Sequence, residues 1–262
     1  MSARATFAKA ELDRPSVRVA LGFLGLLALF GALSPWLGGK LGLLASAARG
    51  TLLATAGVLG LALAIGLLLG TLAGVGPPLF DALLARSVEL TGALPSIVLL
   101  ALLRTAQPIS PALGFVLALG VLRGVEMARL VRGEMLRVSG QEFVLAARAL
   151  GASGLERVRA HILPHTLSPL LVSAAFCAAM VVGLDTALGL LGLGSTATFG
   201  ELVGHAIQGS RPGAAVAPAL AAALTTAATY LVAEALDDAQ SERRRVFRGA
   251  AKGLPTSHGL PR

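Results

Sequence analysis

The chain has 262 residues, 55% hydrophobic, 14% charged and 4% aromatic, with a strongly positive mean hydropathy. Soluble domains carry about 25% charged residues, so a water-facing surface of ordinary composition is excluded. The formal charge of +8 fits a polytopic membrane protein whose basic residues set its orientation, rather than a nucleic-acid binder.

A helix needs about 20 apolar residues to cross the hydrocarbon core. Six stretches approach this: Val19–Leu37, Thr51–Val75, Val88–Leu103, Ala112–Arg123, Leu167–Leu191 and Ala214–Leu236. Residues 1–18 read as a tail ahead of a first span at 19–37, and no small-residue cleavage site closes that span as a signal peptide would require. About a dozen residues, Gly38–Gly50, are expected to join it to the second span. There Gly66, Gly70 and Gly74 recur every fourth residue, which predicts close helix packing. The third span extends back to Ala82 if Arg86 snorkels and Glu89 is sheltered by other helices, and Pro95 should kink or break it. The fourth extends toward Leu130, with Arg123 and Glu126 paired near an interface. In the fifth, Asp185 costs about 2.5–3.5 kcal/mol at mid-bilayer. It is expected to face a path or an adjacent subunit, and Glu89 invites the same reading. Cys177, the single cysteine, lies in an apolar run and reads as a small buried side chain.

Lysine and arginine decide orientation. With both termini in the cytoplasm, 17 of them fall inside, including six arginines between residues 129 and 165 and six basic residues in the 239–262 tail. Only Lys40, Arg49, Arg104 and Arg211 fall outside. Both ends inside also requires an even number of spans, as six is.

The polar stretch at about 131–166 stands apart. Ser139-Gly-Gln-Glu142 reads as a capping box opening a helix of about eleven residues, with Gly151 at the left-handed stop. Ser153-Gly-Leu-Glu156 repeats the start signal for a second short helix, expected to end at Pro164. On the first helix Phe143, Ala146, Ala147 and Leu150 fall on one face. Periodicity fits insertion of that face into a partner's groove and an amphipathic helix resting on lipid equally well.

Phe143-Val-Leu-Ala-Ala-Arg-Ala-Leu-Gly151, nine residues, then His161-Ile-Leu-Pro164 resembles the "EAA" loop of ABC-importer permeases, in the form of the dipeptide/oligopeptide/nickel branch. Ala128-Arg-Leu-Val-Arg-Gly-Glu134, Leu188-Gly-Leu-Leu-Gly-Leu-Gly194, Thr198-Phe-Gly-Glu-Leu202 and Ala233-Glu-Ala-Leu-Asp-Asp238 extend the likeness, as do Asp81, Glu89 and Leu94-Pro95. It covers about residues 49–240. Three departures stand out: Leu145 replaces the Glu of the triplet, Phe199 replaces a Trp, and the segment between spans one and two is short. The resemblance implies an all-α polytopic fold of about six transmembrane helices, with a permease domain at 49–238. It implies the type I importer arrangement, with Phe143, Ala146, Ala147, Leu150, Gly151, Leu163 and Pro164 coupling to ATPases, and Glu89, Pro95 and Asp185 as candidates for the translocation path. The partners it implies are a second homologous permease subunit, two ATP-binding cassette ATPases and an extracytoplasmic solute-binding protein in a bacterial cytoplasmic membrane. The cargo would be a peptide or similar small solute, nickel included.

The chain carries no G-x-x-x-x-G-K-[ST] phosphate loop, so ATP hydrolysis is expected in a separate subunit. No cofactor, catalytic residue or metal site is expected. His161 and His165 are spaced i, i+4, but Pro164 between them breaks the helical register, while His205 beside Glu201 is only a pair. An intramembrane protease would need a G-x-S-x-G or a mid-span histidine, and a secondary transporter would need inverted repeats. The protease patterns are absent, and Pro95 alone is thin support for the broken helices of a secondary transporter, so these two classes stand as the alternatives.

Overall fold

The computed structural model describes residues 15–93, 95–105, 110–210 and 212–252, and the described residues form ten α-helices with no strand. These are α1 (Pro15–Ala32), α2 (Gly39–Val75), α3 (Pro78–Ala93), α4 (Ser96–Thr105), α5 (Pro111–Ser139), α6 (Glu142–Ala149), α7 (Gly154–Arg157), α8 (Leu163–Leu190), α9 (Phe199–Gln208) and α10 (Pro212–Lys252). A 3₁₀ turn (Ser34–Trp36) follows α1, and a π turn (Val158–Ile162) joins α7 to α8.

The central pair is α2 and α5, and glycine on both helices is the reason. A Cβ on Gly66 would lie 2.7 Å from Met127 Cβ, and one on Gly70 would lie 2.6 Å from Val131 Cβ and 2.7 Å from the Ala128 carbonyl. From the other side, Cβ atoms on Gly120 and Gly124 would meet Leu61 and Ile65 at 2.7 Å. Residue numbers rise together on the two helices along this seam, so α2 and α5 run parallel. The chain must therefore recross the bundle between them, and only α3 with α4 is available to do so. Pro95 breaks that return, as expected: α3 and α4 meet at 82°. Asp81 at the start of α3 pairs with Arg132 near the end of α5, Nη2 donating to Oδ2 at 2.7 Å, which holds the start of the return against the parallel pair.

Four helices are long and apolar enough to cross a membrane, and the bent α3–α4 pair is a fifth candidate. Helix α1 is a shorter apolar helix over Val17–Ala32. Apolar side chains face outward on every long helix, among them Leu53, Leu68, Leu171 and Leu220, as lipid rather than water would permit. The main core joins Val58, Leu119, Val131, Met135, Leu170, Val181 and Leu188 from α2, α5 and α8.

Several expected boundaries move. The Gly38–Gly50 connection is not a loop: α2 begins at Gly39 and runs 37 residues without interruption. Ala47 and Ala48 are small enough to pack against Leu27 and Phe199, so those turns are buried and helical. The fourth span continues to Ser139, because Met127, Val131, Met135 and Val138 keep a buried face through four more turns. Ser139 therefore ends a helix instead of starting one: its hydroxyl donates to the Leu136 carbonyl at 2.8 Å, and Gln141 occupies the N-cap of α6. Helix α6 has eight residues rather than eleven. Glu89 is not sheltered. It is 64% exposed and pairs with Arg86 on its own helix at 2.8 Å.

The seam yields a direct test. Gly70→Val places two methyls against the Ala128 carbonyl and Val131, an overpacking that costs about 1–3 kcal/mol. The detergent-solubilised variant should melt several degrees lower than wild type, while an exposed control, Gly60→Ala, which has open space beside it, should not.

Candidate functional site

Two constructions at opposite ends of the bundle carry the polar chemistry. The first is the elbow α6–α7. Helix α6 closes with a Schellman motif: the Ala152 amide donates to the Ala147 carbonyl and the Gly151 amide to the Arg148 carbonyl, at 3.0 and 3.1 Å. Gly151 sits at φ +89°, as its place in the sequence predicts. The Glu156 amide then donates to Ser153 Oγ at 3.3 Å, which is the second expected start signal.

Pro164 does not end the second helix. The chain widens into the π turn, where the Leu163 amide reaches the Val158 carbonyl, and α8 continues through Pro164 to Leu190. A wider turn moves the backbone that a proline ring would strike and leaves no α-type bond for its missing N–H to break. Pro169, also inside α8, lies one residue past Ser168, whose carbonyl accepts from Gln240 of α10.

The elbow is anchored by one residue that sequence reasoning passed over. Val144 is 1% exposed and joins the main core, with Val158 and Ile162 behind it. Fixing Val144 inward turns the other side of α6 outward. Phe143 and Leu150 are exposed, Ala146 is exposed and Ala147 partly so. The four residues placed on one face thus do form an outward surface, and Leu145 joins it. Phe143 also meets His165, ring centroids 5.3 Å apart, so it ties α6 to the start of α8. Leu163 is half-buried and Pro164 exposed beside them. The signal for Val144 was its position: a lone β-branched residue on a short amphipathic helix, across from Ala146 and beside Ala147.

The second construction lies at the far end, where α8, the 191–198 loop and α9 meet α2. Asp185 does not face outward. It is 3% exposed, and Oδ1 accepts the Ser195 amide at 3.0 Å, which folds the loop back onto α8. Thr198 caps α9, accepting from the Glu201 amide at 3.3 Å and donating to the Ser195 carbonyl at 3.1 Å. The Glu201 carboxylate accepts from the amide of Ala197, one residue before the cap, so it also ties the end of the loop to the first turn of α9. Thr198-Phe-Gly-Glu201 is the S/T-x-x-E signature, so this start was readable. Backbones here nearly touch: a Cβ on Gly200 would be 2.2 Å from the Asp185 carbonyl, and one on Gly204 would be 2.1 Å from that of Gly189. Ala197, held at φ +55°, turns its carbonyl onto Gly50, and Thr51 Oγ1 accepts the Phe199 amide at 3.1 Å.

The expected path candidates are thus dispersed. Glu89 is on the surface of α3, Pro95 is at the α3–α4 break, and Asp185 is locked inside the far-end loop. His205 lies 3.7 Å from Glu201. Among the described residues no three His, Cys, Asp or Glu side chains gather as a metal site. The side chain of His161 and the residue Leu94 lie outside the described residues.

A family profile described as "Binding-protein-dependent transport system inner membrane component" matches residues 66–246, a range that spans both the elbow and the far-end lock. The chain belongs to this family. Its members are inner-membrane components by that description, which the candidate spans fit. The dipeptide transport system permease protein DppC of Bacillus subtilis (strain 168) is 32% identical over 136 residues, 52% of this chain and 42% of that protein. The probable D,D-dipeptide transport system permease protein DdpC of Escherichia coli (strain K12) is 34% identical over 145 residues, 54% and 48% of the two chains. The chain therefore spans about half the length of the curated relatives it matches. Among solved structures, inward-facing MetNI methionine ABC transporter shares the fold, at TM-score 0.57 and 23% identity, over 74% of this chain and 96% of that one.

The loop lock gives a second test. Asp185→Ala removes a buried acceptor and strands the Ser195 amide, a loss of about 1–3 kcal/mol. Asp185→Asn keeps the oxygen. Thermal unfolding in detergent should show a clear drop for the alanine variant and a much smaller one for asparagine.

Proposed function

We propose that this chain is a permease subunit of an ATP-driven importer, pairing with a second homologous permease to form a path for peptides or a similar small solute. Family membership supports the permease role. The printed names of DppC and DdpC, both peptide systems, support the cargo class. In this reading six crossings (α1, α2, the α3–α4 pair, α5, α8 and α10) place both termini and the elbow in the cytoplasm. The parallel run of α2 and α5 supports counting the bent pair as one crossing. The permease domain spans 49–238, flanked by a first helix, an N-terminal tail and a basic C-terminal tail.

The observation that carries the proposal is the outward face of α6. An exposed patch of Phe143, Ala146, Ala147 and Leu150, backed by a buried Val144, presents one ring and small flanking residues on a rigid support. Two cytoplasmic ATPases would seat this face in a cleft, and their closure on ATP would move α6 and α8 as one body, switching the path between inward- and outward-facing states. An extracytoplasmic solute-binding protein would deliver cargo at the far end, near the 191–198 loop. ATP hydrolysis belongs to the ATPases, not to this chain.

Ala147→Glu puts a charge into that docking face without touching a buried position. In proteoliposomes of the assembled transporter, solute uptake should fall by roughly tenfold or more, the effect of about 1.4 kcal/mol. Membrane insertion and pairing with the second permease should persist. Uptake at the wild-type rate would remove α6 from the coupling role.

A further inference from the structure

Toward the elbow end of the bundle, residues of α5, α8 and α10 line a crevice. Its volume is about 830 Å³, within the roughly 300–1,000 Å³ of small-molecule sites. The walls are mixed. Phe176 and Met180 of α8 are apolar, while α5 and α10 contribute charges of both signs.

The charges divide into two kinds. Arg123 and Glu126 pair with one another at 2.6 Å, and Glu134, also in the lining, pairs with Arg137 at 2.6 Å. Arg129 of α5 and Asp237 of α10 also line the crevice and are exposed to it, yet neither has an ion-pair partner among the described residues. Arg129 and Asp237 thus leave a cation and an anion without described ion-pair partners on two helices that line one cavity. A ligand carrying both charges pairs with them together.

We propose that this crevice binds a small zwitterionic solute with a free ammonium and a free carboxylate, as amino acids and short peptides have. Arg129 receives the carboxylate, with a planar fork suited to bidentate contact. Asp237 receives the ammonium, and the Phe176–Met180 wall takes the side chain. The volume leaves room for two or three residues. The proposal rests on the permease reading for its cargo class but places the binding groups within this single chain. A phosphatidylethanolamine headgroup has the same pair of charges and is the competing source.

The chain has one cysteine, Cys177, so Cys177→Ala with Ser173→Cys gives a single reporter thiol on the crevice wall. Inverted membrane vesicles containing the full transporter expose the elbow end, and a small maleimide reports access. Alanine, dialanine and trialanine are titrated as protectants, with N-acetyl-dialanine amide as the uncharged control. At least one of the three should slow labelling saturably, reaching about tenfold when its concentration is about ten times its Kd. The blocked peptide should not. Adding Arg129→Gln or Asp237→Asn should abolish protection while the thiol still labels.

No protection by any of the three, equal protection by the blocked peptide, or protection that survives both charge substitutions would overturn the proposal. So would labelling that is low in phosphatidylethanolamine vesicles, high without that lipid and indifferent to peptide, which would assign the crevice to lipid. The readout needs no ATP. Loss of protection with ATP-driven uptake intact would leave the permease reading standing, and protection without ATP-dependent uptake would do the reverse.

Discussion

In a bilayer no water drives helices together, so association depends on how closely backbones can approach. The parallel seam of α2 and α5 is this chain's solution, with Gly66 and Gly70 opening one helix to Met127 and Val131, and Gly120 and Gly124 opening the other to Leu61 and Ile65. Everything else is hung on that pair. Helix α8 packs into its groove through Leu170, Val181 and Leu188, and the α3–α4 return is tied to it by Asp81 and Arg132. The same device recurs at the far end, where Gly189, Gly200 and Gly204 let α9 lie almost backbone to backbone on α8.

The two ends differ in how their polar groups are satisfied. At the far end, donors and acceptors close on one another: Asp185 with Ser195, Thr198 with Glu201, Thr51 with Phe199. That network holds the loop still, and it leaves Asp185 Oδ2 and Ser195 Oγ buried without a hydrogen-bond partner among the described residues. At the elbow end the backbone is equally well satisfied by the Schellman motif, but the side chains are left presented. Rigid backbone with exposed apolar side chains is what a docking surface needs, because little entropy remains to be lost on contact.

Much of this was legible in the residues. Gly151 could be placed because a left-handed stop favours glycine, and Pro95 because a missing donor breaks a span. The exposed face of α6 followed from helical spacing. What failed were inferences that relied on a local signal where packing decided the outcome. Ser139 has the chemistry of an N-cap, but the buried stripe through Val138 carries α5 over it. Pro164 reads as a stop unless the turn before it widens, and a π turn leaves no mark in composition. Asp185 looks like a path residue by its cost alone, whereas its partner is a backbone amide ten positions on, which no side-chain pattern announces. Residues 38–50 looked like a connection because Lys40 and Arg49 break the apolar run, yet Ala45, Ala47 and Ala48 bury one side of it.

The five-residue π turn at Val158–Ile162 has a bearing on the history and handling of this chain. It behaves as an α-helical turn with one extra residue tucked in, so it sets the rotational phase of everything that follows. Excising a single position there would restore ordinary winding and rotate α8 by about 100°. That rotation would swing the Leu170, Val181 and Leu188 ridge away from its groove and carry Asp185 off its amide. Length in this short stretch is therefore held more tightly than chemistry, and a gap placed within it when related chains are compared would mark a change of architecture, not a tolerated trim.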